Sequence, residues 1–511
     1  MRASEYILPR FGKYLLAHVN LNNSSEAFHA SEVYQVLTKK VIIKFFKRSE
    51  LILIALFLIT YTIAASLVSL HRFWQFNAFW YDFGIFDTAV WKLSRFSLPT
   101  IEQIAPSAGR VVWGDHFNPS SAILAPLYWI NSSPEIILVA QVLFTVASAL
   151  VFYLLARKQI QSFLARIALV IAYLGFVGMQ NALFTDVHNI VFALLPMSFT
   201  FWAIYEKRKI LYWIFLVLTL GFQESMASFG FALGLFLIIK ERKVTKLAIY
   251  TITLSLIWGI ATTRFVMPFF LKSQYPYKPD IPLSPISWLK ELVFPLNLKL
   301  KAIIVSFATF GFLPLFSLAG IPLYAQHFIE RFVLNGAATR WDLALHYNAT
   351  LSPILTVGAI EVIKRVEKIK HLKKYVFLWA AVVILLVAVI HRFYYHGPLL
   401  LATDPIFYKQ TENALFLKNF VQKIPREGLL MTQNNLAAYF THQAVILLNE
   451  NYKEIKPDYI AIDLRTGQNA NNFFPFSEEK AKLLINEVQA DSNYEKILDG
   501  DQLLFKKTGQ D

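Results

Sequence analysis

Cysteine is absent from the 511-residue sequence, and charged residues are scarce. Without cysteine the chain can form no disulfide, no thiolate metal site and no cysteine nucleophile. Only 16% of its residues are charged, whereas soluble domains hold about a quarter. Hydrophobic residues make up 56% and the mean hydropathy is +0.45. This composition argues against a soluble enzyme, a disordered chain, collagen and a coiled coil, and it predicts a membrane protein.

Acidic residues are fewer than basic residues. The sequence has 34 Asp and Glu but 49 Lys and Arg, which gives a formal net charge of +15. On a soluble protein this excess would suggest nucleic acid as a partner. In membrane proteins Lys and Arg accumulate in cytoplasmic loops instead. We therefore expect no nucleic-acid partner, and we use the basic clusters to orient the chain.

Apolar runs recur between Leu51 and Ile390, and several approach or exceed the ~18 residues needed to cross a bilayer. We predict about eleven spans, at about 51–70, 136–155, 167–177, 190–204, on either side of 223–224, at 247–270, as an apolar pair within 302–325, and at 350–363 and 376–390. In this assignment one membrane face collects all the basic clusters, at 39–48, 157–166, 207–209, 240–246 and 364–374. By the positive-inside rule that face is cytoplasmic. The sequence predicts a multi-pass protein of the cell membrane, with its N-terminus inside and its C-terminus outside.

Three regions are predicted along the chain. Residues 1–48 form a cytoplasmic segment without an evident cleavable signal peptide. Residues 49–395 form an α-helical polytopic membrane domain, which includes a large first outer loop at 71–133. Residues 400–511 have the composition of a soluble domain. Strand-like runs at 428–432, 444–448, 459–464 and 502–506 alternate with helix-like runs at 404–422 and 477–489, which predicts a small extracytoplasmic α/β domain.

Ionisable side chains gather in the loops predicted to lie on the outer face. Such groups are costly at membrane depth and are usually paired, hydrated or functional. Because they come from different spans at one level, we expect them to line a single polar cavity suited to acid/base chemistry or metal binding. The candidates are Asp82, Asp87, His116, Asp186, His188, Glu224, Arg340 and His346.

Several candidates have a structural alternative. Asp82 and Asp87 are five residues apart, so on a helix they would face different directions, and one could cap the helix rather than react. Asp186 could hold its loop against a neighbouring span. Arg340 and His346 could bind lipid phosphate by charge alone. We assign no role to His71, His391, His396 and His442.

The first outer loop resembles a known family. Residues 81–91, YDFGIFDTAVW, are similar to the opening signature of the bacterial and archaeal membrane proteins grouped as domain of unknown function 2079. Shorter matches follow in order, at 114–119, 124–128, 186–188, 223–224, 346–347 and 458–463. Two positions depart from the family pattern: Thr88 stands where Gln is common, and Gln223 stands where Lys often precedes the Glu. The second departure removes a possible phosphate-binding charge.

That family resembles the GT-C glycosyltransferases, which are polytopic enzymes with an essential acidic residue in a large first extracytoplasmic loop. The resemblance implies transfer of a sugar from a polyprenyl-phosphate donor to an envelope acceptor on the extracytoplasmic face, with membrane lipid as a partner. Asp82 and Asp87 would be catalytic. Substrate would be bound by His116, Asp186, His188, Glu224, Arg340 and His346. Mg²⁺ or Mn²⁺ could be held by Asp82, Asp87 and His116.

Two other functions remain open from the residues alone. A transporter or flippase for a lipid or small solute would also need a buried polar cluster, although no paired repeat halves are evident. A non-catalytic scaffold could use the region after residue 400 to bind an envelope partner. The polar groups lie at one face rather than at mid-membrane, which argues against a transporter, and a scaffold would not require charged groups at the ends of spans.

Overall fold

The computed structural model describes residues 24–103, 110–279, 281–334 and 338–509, with side chains from residue 49 onward except at 338 and 339. Residues 1–23 of the predicted cytoplasmic segment lie outside the described residues. The chain divides into two compact units, Met1–Ile59 and Thr60–Asp511. All of the candidate site residues belong to the second unit.

The described residues are mostly helical. The helices are α1 Ser24–Trp74, α2 Ile85–Ser94, α3 Leu127–Ile130, α4 Glu135–Gln159, α5 Phe163–Gly175, α6 Val177–Phe184, α7 Asn189–Phe192, α8 Leu194–Tyr205, α9 Lys209–Leu220, α10 Met226–Glu241, α11 Lys246–Ala261, α12 Met267–Leu271, α13 Pro285–Val293, α14 Leu296–Thr309, α15 Ile321–Ile329, α16 Ala338–Trp341, α17 Leu351–Val366, α18 Lys373–Val389, α19 Glu412–Val421, α20 Asn434–Ala437, α21 Tyr452–Ile455 and α22 Glu478–Ala490. Short π-helical turns follow or precede several of them, at Trp80–Gly84, Thr262–Val266, Glu330–Leu334 and Ile390–Tyr395.

Several of these helices are long and apolar enough to cross a membrane. Within the described ranges they are Ser49–Trp74, Glu135–Gln159, Lys246–Leu271 and Lys373–Tyr395. Two bent pairs, α5 with α6 at 45° and α13 with α14 at 65°, would raise the number to six if each pair is one span. A helix occupies each segment that was predicted to span. Most of the helices outside these four spans and two bent pairs are too short to cross a membrane singly. The membrane character is therefore confirmed, while eleven spans stay a prediction.

Helix ends that were predicted to share one membrane face contact one another. Lys158, at the end of α4, forms an ion pair of 2.5 Å with Glu206, at the end of α8. Lys364, near the end of α17, donates a hydrogen bond of 2.7 Å to the Gln159 side chain. The basic clusters at 157–166 and 364–374 thus meet at one end of the helices.

The first outer loop folds into a short π-helical turn, helix α2 and a two-stranded antiparallel ribbon. The ribbon pairs β1, Thr100–Ile101, with β2, Arg110–Val111. Gly84 ends the π-helical turn, and a Cβ at this position would overlap the Trp80 indole. Because Gly84 has no side chain, the buried indole can fold back over the turn that carries Asp82.

A five-stranded sheet follows the helices. Its strands are β3 Leu430–Thr432, β4 Val445–Leu447, β5 Tyr459–Asp463, β6 Tyr494–Leu498 and β7 Gln502–Lys507, in the spatial order β4-β3-β5-β7-β6. Strands β3, β4 and β5 are parallel and fully buried, as continuous apolar runs predict. Helix α22 packs on this sheet through Ile485 and Val488. The sheet lies in the same compact unit as the membrane helices, so a separate α/β domain at 400–511 stays a prediction.

Candidate functional site

A large cavity lies where the loops predicted to face outward come together. Its volume is about 1510 Å³, and its walls come from the first outer loop, the turn before α10, the segment around 263–279 and the loop before α17. Predicted site residues that line the cavity are Asp82, His116, His188, Glu224, Arg340 and His346. Asp87 and Asp186 are buried beside it and do not line it.

Asp82 presents its side chain to this cavity from the π-helical turn before α2. Among the described residues, no hydrogen-bond or ion-pair partner contacts its carboxylate. The surrounding protein raises the pKa of Asp82 by burial, and the charges of His116 and Arg72 oppose that rise only in part. A carboxylate that is unpartnered and has a raised pKa is suited to accept a proton.

His116 is fixed in orientation by Glu224. Its Nδ1 lies 3.1 Å from Glu224 Oε1, and the Phe117 N–H donates to Glu224 Oε2 over 3.2 Å. The Tyr277 ring stacks on the imidazole at 4.7 Å, with only 3° between the planes. Burial would lower the pKa of His116, but the charge and hydrogen bond of Glu224, with help from Asp115, raise it to about 9. The ring is therefore a cation at neutral pH.

Two further imidazoles in the cavity are stacked on each other. The rings of His188 and His346 have centroids 3.2 Å apart and planes inclined by 20°. Burial lowers the pKa of His188 to about 3, and burial together with the neighbouring His188 and nearby cations lowers the pKa of His346. Both rings are neutral at physiological pH, so they can exchange hydrogen bonds with hydroxyl groups without adding charge.

Guanidinium and ammonium groups supply more positive charge. Arg331 and Arg340 lie over the Tyr347 ring, at 5.4 Å and 6.0 Å from its centroid. Further cations line the cavity, and they are Arg110, Arg264, Lys272 and Lys278. Only Arg340 among these was predicted from the sequence. The others occur outside the short motifs, and two of them, Lys272 and Lys278, lie in the aromatic-rich stretch at 271–300, which gave no signal for a cavity.

Some buried polar atoms in the cavity wall lack a partner. Ser225 Oγ, Asn189 Nδ2, Arg110 Nε and Arg331 Nε form no hydrogen bond with the described residues. Buried polar groups are nearly always satisfied by protein, water or ligand. A polar ligand in this cavity would find donors already in place.

Asp87 belongs to a different cluster. It is fully buried and accepts hydrogen bonds from the Tyr128 hydroxyl and, over 2.5 Å, from Thr441 Oγ1. Nε2 of His442 lies 3.0 Å from its carboxylate, and the His442 ring stacks on Trp91 at 5.0 Å. No role was predicted for His442, because a contact between residues 355 positions apart leaves no local pattern in the sequence. Asp87 therefore ties α2 to the segment after β3.

Asp186 is likewise held by its neighbours. Its carboxylate forms an ion pair of 2.8 Å with Arg72 and accepts a hydrogen bond of 3.2 Å from the Phe79 N–H. Arg72 also donates to the Phe184 carbonyl over 3.0 Å. These contacts fix the end of α1 against the loop after α6, which is the structural alternative that the sequence left open for Asp186.

The predicted metal ligands do not converge. Within the described ranges, no three His, Asp or Glu side chains lie close enough together to hold a metal ion. Of the candidates Asp82, Asp87 and His116, only Asp82 and His116 line the cavity, since the Asp87 carboxylate is engaged elsewhere. These donors do not fit a Mg²⁺ or Mn²⁺ site.

The fold is that of a multi-pass membrane protein and is similar to the fold of a GT-C glycosyltransferase. One similar solved structure is that of ArnT from Cupriavidus metallidurans bound to undecaprenyl phosphate, with a TM-score of 0.52. The match has 10% sequence identity and covers 88% of this chain and 97% of the ArnT chain. At this identity the likeness shows the fold alone.

The chain belongs to the family of predicted membrane proteins DUF2079, whose sequence pattern matches residues 72–505. A comparison with curated proteins gives no match. The family membership and the GT-C fold confirm the resemblance drawn from the first outer loop.

Proposed function

We propose that this protein is a GT-C-type glycosyltransferase that moves a sugar from a polyprenyl-phosphate donor to an envelope acceptor on the extracytoplasmic face. The observation that carries the proposal is the Asp82 carboxylate, which has no partner among the described residues and lies in a cavity lined by several cationic side chains. The similar fold of ArnT, which was solved with undecaprenyl phosphate, supports a lipid phosphate as one occupant.

In the proposed reaction, Asp82 accepts the proton of the acceptor hydroxyl while that oxygen bonds to the anomeric carbon of the sugar. The bond between the anomeric carbon and the phosphate oxygen breaks, and its electron pair leaves with the polyprenyl phosphate. A direct displacement of this kind inverts the configuration at the anomeric carbon, by the reasoning used for two-carboxylate glycosidases.

The leaving phosphate needs positive charge rather than a proton, because it is already ionised in the donor. The His116 imidazolium and the Arg331 and Arg340 guanidinium groups supply that charge in a cavity walled by protein. Preorganised charges in such a setting stabilise developing negative charge better than water does. His188 and His346, both neutral, are placed to bind hydroxyl groups of the sugar.

The test is an Asp82→Asn variant in purified protein, supplied with an undecaprenyl-phosphate sugar and membrane extract as the acceptor source. We expect transfer to fall by roughly 10²- to 10⁴-fold, which is the usual contribution of a general base. Binding of undecaprenyl phosphate should persist.

The matched control is Asp499→Asn, which changes a carboxylate that is exposed and does not line the cavity. This variant should keep full transfer. Full turnover in Asp82→Asn would contradict the role of Asp82.

A further inference from the structure

We propose that Tyr81 and Phe474 form an aromatic subsite that holds a saccharide acceptor at the cavity, so that the acceptor is a glycan. This inference rests on the proposed function and names the class of its second substrate. It also gives a role to the sheet-bearing segment after residue 411, which supplies Phe474.

The two rings face the cavity instead of the core. Both residues line the cavity, and their exposed fractions are 48% for Tyr81 and 39% for Phe474. Their ring centroids are 4.7 Å apart and their planes are inclined by 75°. The edge of one ring therefore contacts the face of the other, and part of the ring surface stays uncovered. Large aromatic groups left accessible inside a cavity mark a place where a ligand can pack.

One asparagine holds both sides of this aromatic pair in position. Asn434, at the start of α20, accepts a hydrogen bond of 3.0 Å from the Tyr81 N–H. Its side-chain amide donates over 3.0 Å to the Asn471 carbonyl, three residues before Phe474. The spacing between Tyr81 and Phe474 is therefore built into the fold, although 393 positions separate them.

The sheet topology places this subsite at the usual ligand-binding edge of a parallel sheet. From β3 the chain crosses to β4 on one side, and β5 then pairs with the other side of β3. Ligands of α/β sheets bind beyond the carboxyl ends of the strands, where the strand order reverses in this way. Asn434 follows β3, and the segment leading to Phe474 follows β5, so this edge carries the residues that reach the cavity.

The chemistry around the rings favours a sugar over an isoprenoid chain. A sugar ring presents C–H groups on its faces, which pack on the electron-rich face of an aromatic ring, and hydroxyl groups at its edge. The cavity wall beside Tyr81 includes Asp82, Arg110 and Asp115, which can bind hydroxyl groups. A polyprenyl tail would instead require a continuous apolar wall.

The position of the subsite also suits the reaction. Tyr81 precedes Asp82 in the chain, and both side chains line the same cavity. A saccharide packed on the rings would bring one hydroxyl group towards the proposed base.

The test measures binding of methyl glycosides of common hexoses and N-acetylhexosamines to the full-length protein in nanodiscs, by saturation-transfer difference NMR. We expect at least one glycoside to bind. Phe474→Ala should weaken that binding about threefold to tenfold, in line with the usual size of one aromatic packing contact. Phe474→Tyr should retain it, because an aromatic face remains.

Phe416→Ala is the matched control, since Phe416 has the same side chain at 40% exposure and does not line the cavity. It should leave glycoside binding unchanged. A parallel measurement of undecaprenyl phosphate binding should show no change in Phe474→Ala.

Three results would overturn the subsite. They are an absence of glycoside binding across the panel, an equal loss in Phe416→Ala, and loss of undecaprenyl phosphate binding in Phe474→Ala with glycoside binding intact. The last result would assign the rings to the lipid chain. Failure of the proposed function is distinguishable, because either the native protein would then transfer no sugar or Asp82→Asn would transfer as the native protein does, whatever Phe474→Ala does to glycoside binding.

Discussion

Asp82 and Asp87 lie five residues apart in one loop but have opposite surroundings. The first carboxylate faces the cavity and has no partner within the part of the chain that the structure describes, whereas the second is buried among Tyr128, Thr441 and His442. The change from a π-helical turn to helix α2 between them turns the two side chains in different directions. At the scale of single residues, the same side-chain type thus serves chemistry at one position and packing at the other.

The Glu224–His116 pair gives a prediction about pH. Below a pKa of about 9 His116 carries its positive charge, and above it the charge is lost, so phosphate binding should weaken as the pH rises through that value. Asp115, Tyr277, Arg340 and Asp82 also face this ring. In Glu224→Gln the main charge that raises the pKa is gone. The alkaline limit of undecaprenyl phosphate binding should then move towards or below about 6.5, the ordinary imidazole value.

The measurement is the affinity for undecaprenyl phosphate between pH 6 and 10. Glu412→Gln, a change at an exposed carboxylate outside the cavity, should leave the profile unchanged. An alkaline limit that stays near pH 9 in Glu224→Gln would show that Glu224 does not hold the charge on His116.

Much of the cavity could be predicted residue by residue. His116, His188 and Glu224 are ionisable groups in loops whose side of the membrane followed from hydropathy and from the basic clusters. Tyr81 and Tyr277 could not be assigned, because a tyrosine that lines a cavity and one in the interfacial belt have the same local sequence. Their role depends on contacts with distant segments.

At the scale of elements, the Asp87 cluster joins helix α2 to the segment that follows β3. Thr88 reinforces the connection by donating a hydrogen bond of 2.8 Å to the Thr441 carbonyl. Tyr439 adds a stacked contact with Phe73 at 4.5 Å. The helix that begins just after Asp82 is therefore anchored to the sheet-bearing segment, which fixes the base relative to Phe474.

Asp87→Asn should destabilise the protein rather than alter its chemistry. The change removes the negative charge that pairs with His442. It also leaves one of the two buried hydroxyl groups that donate to Asp87, those of Tyr128 and Thr441, without a good acceptor. The free energy of unfolding should fall by about 1–3 kcal/mol. Thermal unfolding of the detergent-purified protein checks this expectation, with transfer measured below the transition. If Asp87→Asn unfolds as the native protein does but has lost transfer, then Asp87 is catalytic, as its place in the motif first predicted.

The sheet shows where sequence patterns are strong and where they fail. Strands β3, β4, β5 and β7 coincide with apolar runs that were predicted as strands. Strand β6 was missed, because its sequence YEKIL lies at an exposed edge and alternates too weakly to stand out. Residues 404–411 were predicted to begin a helix that starts only at Glu412, where Thr411 caps it.

At the scale of the whole molecule, most cavity residues come from loops predicted to lie on one face of the membrane. Lys278 lines the cavity and is exposed, while Lys370 is exposed in the most basic loop of the chain. If the charge rule orients the chain correctly, these two positions lie on opposite sides of the bilayer.

Single-cysteine variants test that orientation. Lys278→Cys should react with a membrane-impermeant maleimide in intact bacterial cells that express the protein, and Lys370→Cys should react only after the cells are permeabilised. The native chain has no cysteine and serves as the unlabelled control. The opposite labelling pattern would place the cavity on the cytoplasmic face.

The imidazoles that line the cavity determine how it responds to its surroundings. His188 has a pKa of about 3, and His116 has one of about 9, so neither ring changes its charge when the medium acidifies from pH 8 to pH 5. Histidines are usually the groups that make a protein sense such a change. Here the imidazoles act as fixed charges and fixed dipoles. Their electrostatic attraction for an anionic ligand therefore stays constant while the pH of the external medium changes.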